Sequence, residues 1–313
     1  MTATELHRPA VPQHTGRFDP RLLAALGSFC ISLSSVFIKV SGTSGSTSAF
    51  WRCLFSLPVL AGLVWWERRR TGDGPRRKVL VPLLAGVGLG VDFVLWGEAI
   101  SLVGAGIATV LLAVQVIIVP ALAFLFLRER PSKRFLAAVP VLLGGIVLAG
   151  GFAGSHLSGS APVAGAVAAL IAGAGYAAYL LLIRLSSGPG TQKHSLFLAT
   201  VSAGLVAVVF GLPSGSLDFT PGWPAFGWLL ALALIGQLCG WLLIAAALPR
   251  MSATVGATLM LLQPIGAVLL GVGLLGETPS ALQLVGCAGV LAAVCFASGG
   301  RKAVVPEGHH EGV

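Results

Sequence analysis

The sequence predicts an all-α membrane protein: ten transmembrane helices in two inverted five-helix repeats, with both termini cytoplasmic. Three observations predict it. Hydrophobic residues make up 56% of the chain and charged residues 10%, with a mean hydropathy of +0.91. Soluble domains carry about 25% charged residues, so lipid must be the solvent for most of this apolar surface. A passage also occurs twice. Ala105, Leu111, Gln115, Ile117, Leu122, Leu127, Glu129, Pro131 and Ser132 recur as Ala253, Leu259, Gln263, Ile265, Leu270, Leu275, Glu277, Pro279 and Ser280, always at the interval that separates Gln115 from Gln263. Finally, lysine and arginine fall on alternate connections between the apolar runs, as orientation by positive charge on the cytoplasmic side requires.

The spans follow from runs of about 20 apolar residues, the helical length that crosses about 30 Å of hydrocarbon. The first, 22–41, follows a polar tail and is too long for a secretory signal core, and no small-residue cleavage pattern follows it. The second, 46–66, ends on Trp65 and Trp66 before a basic stretch. The third and fourth, 79–100 and 105–127, are separated by a short uncharged turn, and Arg128 closes the fourth. The fifth is 134–151. The second half contributes 163–185, 195–212, 226–247, 252–275 and 281–298. An N-terminus inside places Arg8, Arg17, Arg21, Arg68, Arg69, Arg70, Arg76, Arg77, Lys78, Arg128, Arg130, Lys133, Arg134, Arg184, Lys193, Arg250, Arg301 and Lys302 in the cytoplasm. The opposite loops at 42–45, 101–104, 155–162, 213–224 and 277–280 carry no lysine or arginine.

The expected organisation is a disordered cytoplasmic tail at 1–21, a first repeat at 22–151, an extracytoplasmic linker at 152–161, a second repeat at 162–299 and a cytoplasmic tail at 300–313. Five spans per repeat force the second copy to enter the bilayer upside down, the construction many carriers use for alternating access. Glu129 then ends its helix inside and Glu277 ends its own outside. Upstream the match continues at a slightly shorter interval, which implies a short indel in a loop, as Ile38-Lys39 against Ile183-Arg184, so a cation closes the first span of each half.

The ending 125–131 of the fourth span (Leu-Phe-Leu-Arg-Glu-Arg-Pro) carries a resemblance, as do Gln263-Pro264 and the ninth-span ending 275–279 (Leu-Gly-Glu-Thr-Pro), the early Lys39, and Arg52 in the second span. With these the chain resembles the drug/metabolite transporter superfamily and, within it, the EamA family of ten-span carriers, from about Leu22 to Ser298. The first half has Val116 where the second has Pro264, with Pro120 about one turn later. The resemblance implies a multi-pass protein of the plasma (bacterial inner) membrane that works as a secondary carrier of small organic solutes, often an exporter of amino acids or related metabolites. The alternatives are a multidrug-type efflux carrier and a membrane-embedded enzyme.

Four ionisable residues fall inside spans, each costing about 2.5–3.5 kcal/mol at mid-bilayer on insertion scales. Counting down the helices puts Arg52 level with Asp92, and Lys39 level with Glu98 nearer the surface, which predicts two lateral pairs. Asp92 is the candidate for taking up a proton or meeting a cationic group of the cargo. Gln115 and Gln263 occupy equivalent mid-span positions, where inverted repeats meet and carriers bind cargo, and Gln237 lies mid-span in the eighth. Asp92 with Trp96, Gln237 with Trp241, and Tyr176 with Tyr179 each share a helix face. A polar group beside a ring suits an amphipathic organic solute. Trp65, Trp66, Trp223 and Trp228 sit at span ends as interfacial anchors. Gly86, Gly88, Gly90, Gly144 and Gly271 admit close helix approach, and Pro120, Pro140 and Pro264 are candidate kinks.

Other chemistries find little to work with. The +9 charge lies between spans, so no nucleic-acid partner is expected. Cys30, Cys53, Cys239, Cys287 and Cys295 fall in apolar runs and imply no disulfide framework. The six histidines are scattered through loops and tails without metal-ligand spacing. Gly88 to Asp92 lacks the second mid-span aspartate of an intramembrane protease dyad, and the glycines near 104–106 follow no strand. The expected partners are membrane lipid, a small-molecule solute and a coupling proton. No catalytic residue, cofactor or metal is expected, and the chain is read as a monomer or weak homo-oligomer.

Overall fold

The computed structural model describes residues 19–71, 79–149, 160–186, 191–247, 250–251, 255 and 259–298. The regular elements among them are all helical, with no strand. The expectations for residues 1–18, for the C-terminal tail, for most of the linker and for the start of the ninth span fall outside them, whereas Asp19, Pro20 and Arg21, expected in the disordered tail, open the first helix.

Helix α1 (Pro20–Ser41) is opened by Asp19, whose carboxylate accepts the Arg21 amide at 2.8 Å, with proline in the first helical position. It stops at Gly42 in the left-handed conformation (φ 64°). There follow α2 (Gly45–Thr71), α3 (Leu80–Val103), α4 (Ala105–Leu127), α5 (Lys133–Ala149), α6 (Pro162–Ser186), α7 (Gln192–Gly211), α8 (Ala225–Ala247), α9 (Leu262–Leu275) and α10 (Ala281–Ser298). Seven of them, α1–α4 and α6–α8, are long and apolar enough to cross a membrane; α9 and α10 are apolar but shorter.

Two spans are not uniform α-helix. In α4 a 3₁₀ turn at Leu112–Val114 precedes Gln115, and in α8 a π-helical stretch at Leu232–Cys239 contains Gln237. Helical backbone at 259–260 is interrupted at Leu261, and α9 restarts with Pro264 in its first turn, where a missing amide breaks no intrahelical bond.

The two halves interleave. Helix α3 packs on α6 and α7, α2 on α7, α1 on α8 and α9, α4 on α9, and α5 on α10. Small residues set these crossings. A Cβ on Gly88 would stand 2.6 Å from the Gly175 carbonyl oxygen, one on Gly86 would strike the Ala199 backbone, and one on Gly240 would reach the Gly27 carbonyl at 3.2 Å. Gly144 has nothing within 4 Å; the close approach belongs to its neighbour Gly145, 2.9 Å from the Gly286 carbonyl oxygen on the same measure. The expectation for Gly144 is therefore one position out, because only one of two adjacent helical residues faces α10.

The contacts also fix direction. Gly165 lies against Val103 while Gly88 lies against Tyr179, so α6 runs antiparallel to α3. The N-terminal end of α4 meets the residues that follow α9: Ala105 and Gly106 donate their amides to the two carboxylate oxygens of Glu277. Glu129 follows the far end of α4, about 35 Å away at 1.5 Å per residue. Glu129 and Glu277 thus mark opposite ends of the bundle. Large apolar side chains remain on the outside, among them Phe124, Leu125, Phe126, Leu205 and Val209, as a lipid-facing surface demands.

Candidate functional site

Close crossing of α3 and α6 at Gly88 and Gly175 carries Asp92 and the tyrosines of α6 into one region, since a Cβ on Gly175 would lie 3.3 Å from the Asp92 amide. Tyr176 and Tyr179 stack with ring centroids 5.7 Å apart. Gln115 approaches α6 on another face, its backbone 3.6 Å from where a Cβ on Gly173 would sit, about 200° round the helix from Gly175. From α2 comes Arg52, 4% exposed, and from the π-helical part of α8 comes Gln237.

Arg52 does not pair with Asp92. Its Nε donates to the Gln237 side-chain oxygen at 2.8 Å, and its guanidinium carbon stands 3.9 Å above the Phe93 ring and 5.8 Å from the Trp96 ring. No Arg52 nitrogen lies within 4.0 Å of an Asp92 oxygen, although the two charges are near enough to interact. A charge-assisted hydrogen bond of about 1.5–3 kcal/mol and a desolvated cation–π contact of about 2 kcal/mol match the insertion cost without a carboxylate.

Lys39 and Glu98 do not pair either. The Lys39 ammonium donates to the carbonyls of Ile100 and Ser101 at 3.1 and 3.2 Å, while a Glu98 oxygen accepts the Gly45 amide at 2.7 Å. Each ion serves a helix end of opposite polarity, the cation the C-terminus of α3 and the anion the N-terminus of α2. Equal depth does not imply contact when unsatisfied backbone groups lie closer.

Four of the predicted pathway residues carry a buried polar atom with no protein partner: Asp92 Oδ1, Trp96 Nε1, Gln115 Oε1 and Gln263 Nε2. Native interiors pair most such atoms, and an unpaired one costs about 1–3 kcal/mol. The repeat-related glutamines are alike in this respect, but no hydrogen bond joins them: Gln115 lies against α6, whereas the Gln263 backbone oxygen accepts from Ser32 of α1 at 2.9 Å. Because α1 and α6 are themselves repeat-related, both glutamines have equivalent neighbours. Trp241 is half-buried on α8, and no ring contact ties it to the other aromatics.

Several features were not foreseen. Gln237 as the partner of Arg52 had no sequence signal, since the residues are far apart in the chain. Trp51, Phe50, Phe55, Phe219 and Phe226 form a cluster of ring contacts at 5.1–5.5 Å between α2, α8 and the loop before α8. At the Glu129 end the two oxygens of Glu129 accept from Arg184 at 2.7 and 3.0 Å. The repeat equivalent of Arg184 is Lys39, which lines a cavity of about 260 Å³ together with Glu277, Gly104 and Cys287. That cavity lies at the Glu277 end and touches none of the predicted pathway residues.

Comparison with known proteins places this geometry. A crystal structure titled only "Crystal structure of protein" superposes with a TM-score of 0.58 at 16% identity, covering 89% of this chain and 96% of the other, which establishes a shared fold. None of the curated proteins matches the chain. The model of the EamA-like transporter family matches twice, over 21–151 and again over 163–299. With both matches together spanning nearly the whole sequence, the chain is a member of the EamA-like transporter family.

Proposed function

We propose that the protein exports small amphipathic metabolites, amino acids or related solutes, across the plasma (bacterial inner) membrane by alternating access, with both termini cytoplasmic. The observation that carries this reading is the set of buried polar atoms without a protein partner on Asp92, Trp96, Gln115 and Gln263. Four such atoms on interior faces of α3, α4 and α9 are costly unless a cargo or water supplies the missing hydrogen bonds during the cycle. Tyr176, Tyr179 and Trp96 add aromatic surface beside them, Gln237 and Trp241 extend the path along α8, and Asp92 takes the coupling proton or a cationic group of the cargo.

The two ends support alternation. Glu277 ties the start of α4 to α9 at one end, while at the other Glu129 is held by Arg184. Inverted repeats exchange such arrangements when access switches sides. Vesicles reconstituted with the purified protein test the reading. Time-dependent, gradient-driven accumulation of unmodified amino acids is expected, and chemical conversion of the solute, or no accumulation across a broad metabolite panel, refutes it. A growth-rescue screen against toxic amino-acid analogues in an overexpressing host tests the direction.

A further inference from the structure

Arg52 has no role in the proposal above, and its surroundings are those of a binding group rather than of a structural ion pair. It is 4% exposed and lies inside α2, about 10 Å from the helix start at 1.5 Å per residue. Its Nε is spent on Gln237 and one face of its plane lies over Phe93. Among the described residues its two terminal nitrogens, Nη1 and Nη2, meet no hydrogen-bond acceptor, and the nearby carboxylate of Asp92 stays beyond 4.0 Å. A guanidinium held by Nε and by a ring is fixed in orientation, and the edge left over is the two-pronged one that matches a carboxylate. Beside it, Asp92 Oδ1 and Trp96 Nε1 are likewise without protein partners. A guanidinium, a carboxyl group and an indole donor are therefore gathered in one interior region and left unsatisfied by one another.

We infer that the Nη1–Nη2 edge of Arg52 is the site that binds the carboxylate of the cargo, and that Gln237 is the positioning residue that aims it. This rests on the transport reading and narrows it: the cargo carries an anionic group as well as the group that meets Asp92. The separation of Arg52 from Asp92 then has a use, because a direct ion pair would cancel both poles and leave nothing for a ligand to bind. A neutral amide is the suitable holder for Arg52, since Gln237 orients the guanidinium without neutralising it. The π-helical stretch of α8 brings that amide to the required place, in keeping with the frequent occurrence of such bulges at functional sites.

The test compares free amino acids with their carboxamides as ligands of the full-length protein in detergent, read by ligand-dependent thermal stabilisation. The amide differs from the acid only at the group assigned to Arg52. At least one acid is expected to bind wild type tenfold or more tightly than its amide. Arg52→Gln is expected to abolish that preference, Arg52→Lys to leave a weakened one, and Gln237→Leu to reduce it several-fold while amide binding is retained. Equal binding of acids and amides by wild type, absence of binding by every acid, or an undiminished preference in Arg52→Gln overturns the assignment. The wild-type comparison needs no variant to fold. Failure of the two readings is distinguishable: Arg52-dependent acid binding without vesicle accumulation refutes transport alone, whereas accumulation of amides or amines by a protein that binds no acid refutes only the role of Arg52.

Discussion

Arg52 and Asp92 show how far a residue's chemistry can be read without its neighbours. That each needs a partner inside the membrane follows from the cost of an ionised group there; which partner it takes depends on rotation about the helix axis, which sequence depth does not report. Asp92 Oδ1 has no protein partner, and under the proposed transport cycle Asp92→Asn is expected to lower solute accumulation in vesicles at least tenfold and to flatten its dependence on pH. Unchanged transport with an unchanged pH profile would assign Asp92 a structural role only. The opposite case is Arg184 with Glu129. Their contact is bidentate, but the side chains are 57% and 43% exposed, and water screens such pairs. A double-mutant cycle on thermal unfolding is expected to return no more than about 1 kcal/mol of coupling.

Helices pack here through glycine more than through bulk. On α5, two adjacent glycines differ only in the direction they face. Gly145→Ala would drive a Cβ to within 3 Å of the Gly286 carbonyl oxygen and the Val290 side chain, and a loss of about 1–3 kcal/mol is expected from the forced shift. Gly144→Ala meets nothing within 4 Å and is expected to be neutral or to gain up to about 1 kcal/mol of helix propensity. Melting of the two variants in detergent checks the contrast. The start of α4 depends on another element in a different way. Glu277 satisfies the amides of Ala105 and Gly106, and Gly104, at φ +93°, leaves no room for a side chain beside that carboxylate. Glu277→Ala is expected to free that end of α4 from α9, seen as faster modification of a cysteine placed at Ile107, which lines the adjoining cavity. The helices themselves were legible: the fourth span is predicted and found at 105–127, and the others agree within a few residues at most ends. Length and apolarity suffice for that. The 3₁₀ turn before Gln115 and the π-helical stretch around Gln237 were not legible, because no proline or charge marks them and only packing distinguishes them from ordinary helix.

For the whole molecule, the duplicated passage already implied that its two copies lie in opposite senses, and the contact of Glu277 with the start of α4 puts Glu129 and Glu277 at opposite ends. In a variant whose five cysteines are replaced, single cysteines at Arg130 and Thr278 are expected to react with impermeant reagents from opposite sides of the membrane; labelling from the same side would remove the inverted-repeat transport model. The sequence by itself determined the all-helical membrane class, the repeat and the chemical types gathered in the interior, because hydropathy, periodicity and charge distribution are local or additive properties. Tertiary structure alone decided the pairings: Arg52 with Gln237, Lys39 with the last carbonyls of α3, Glu98 and Glu277 with helix starts. Such choices are competitions between nearby acceptors and donors, and they are settled by ångström differences in helix rotation and approach that are set by where glycine lets two backbones touch.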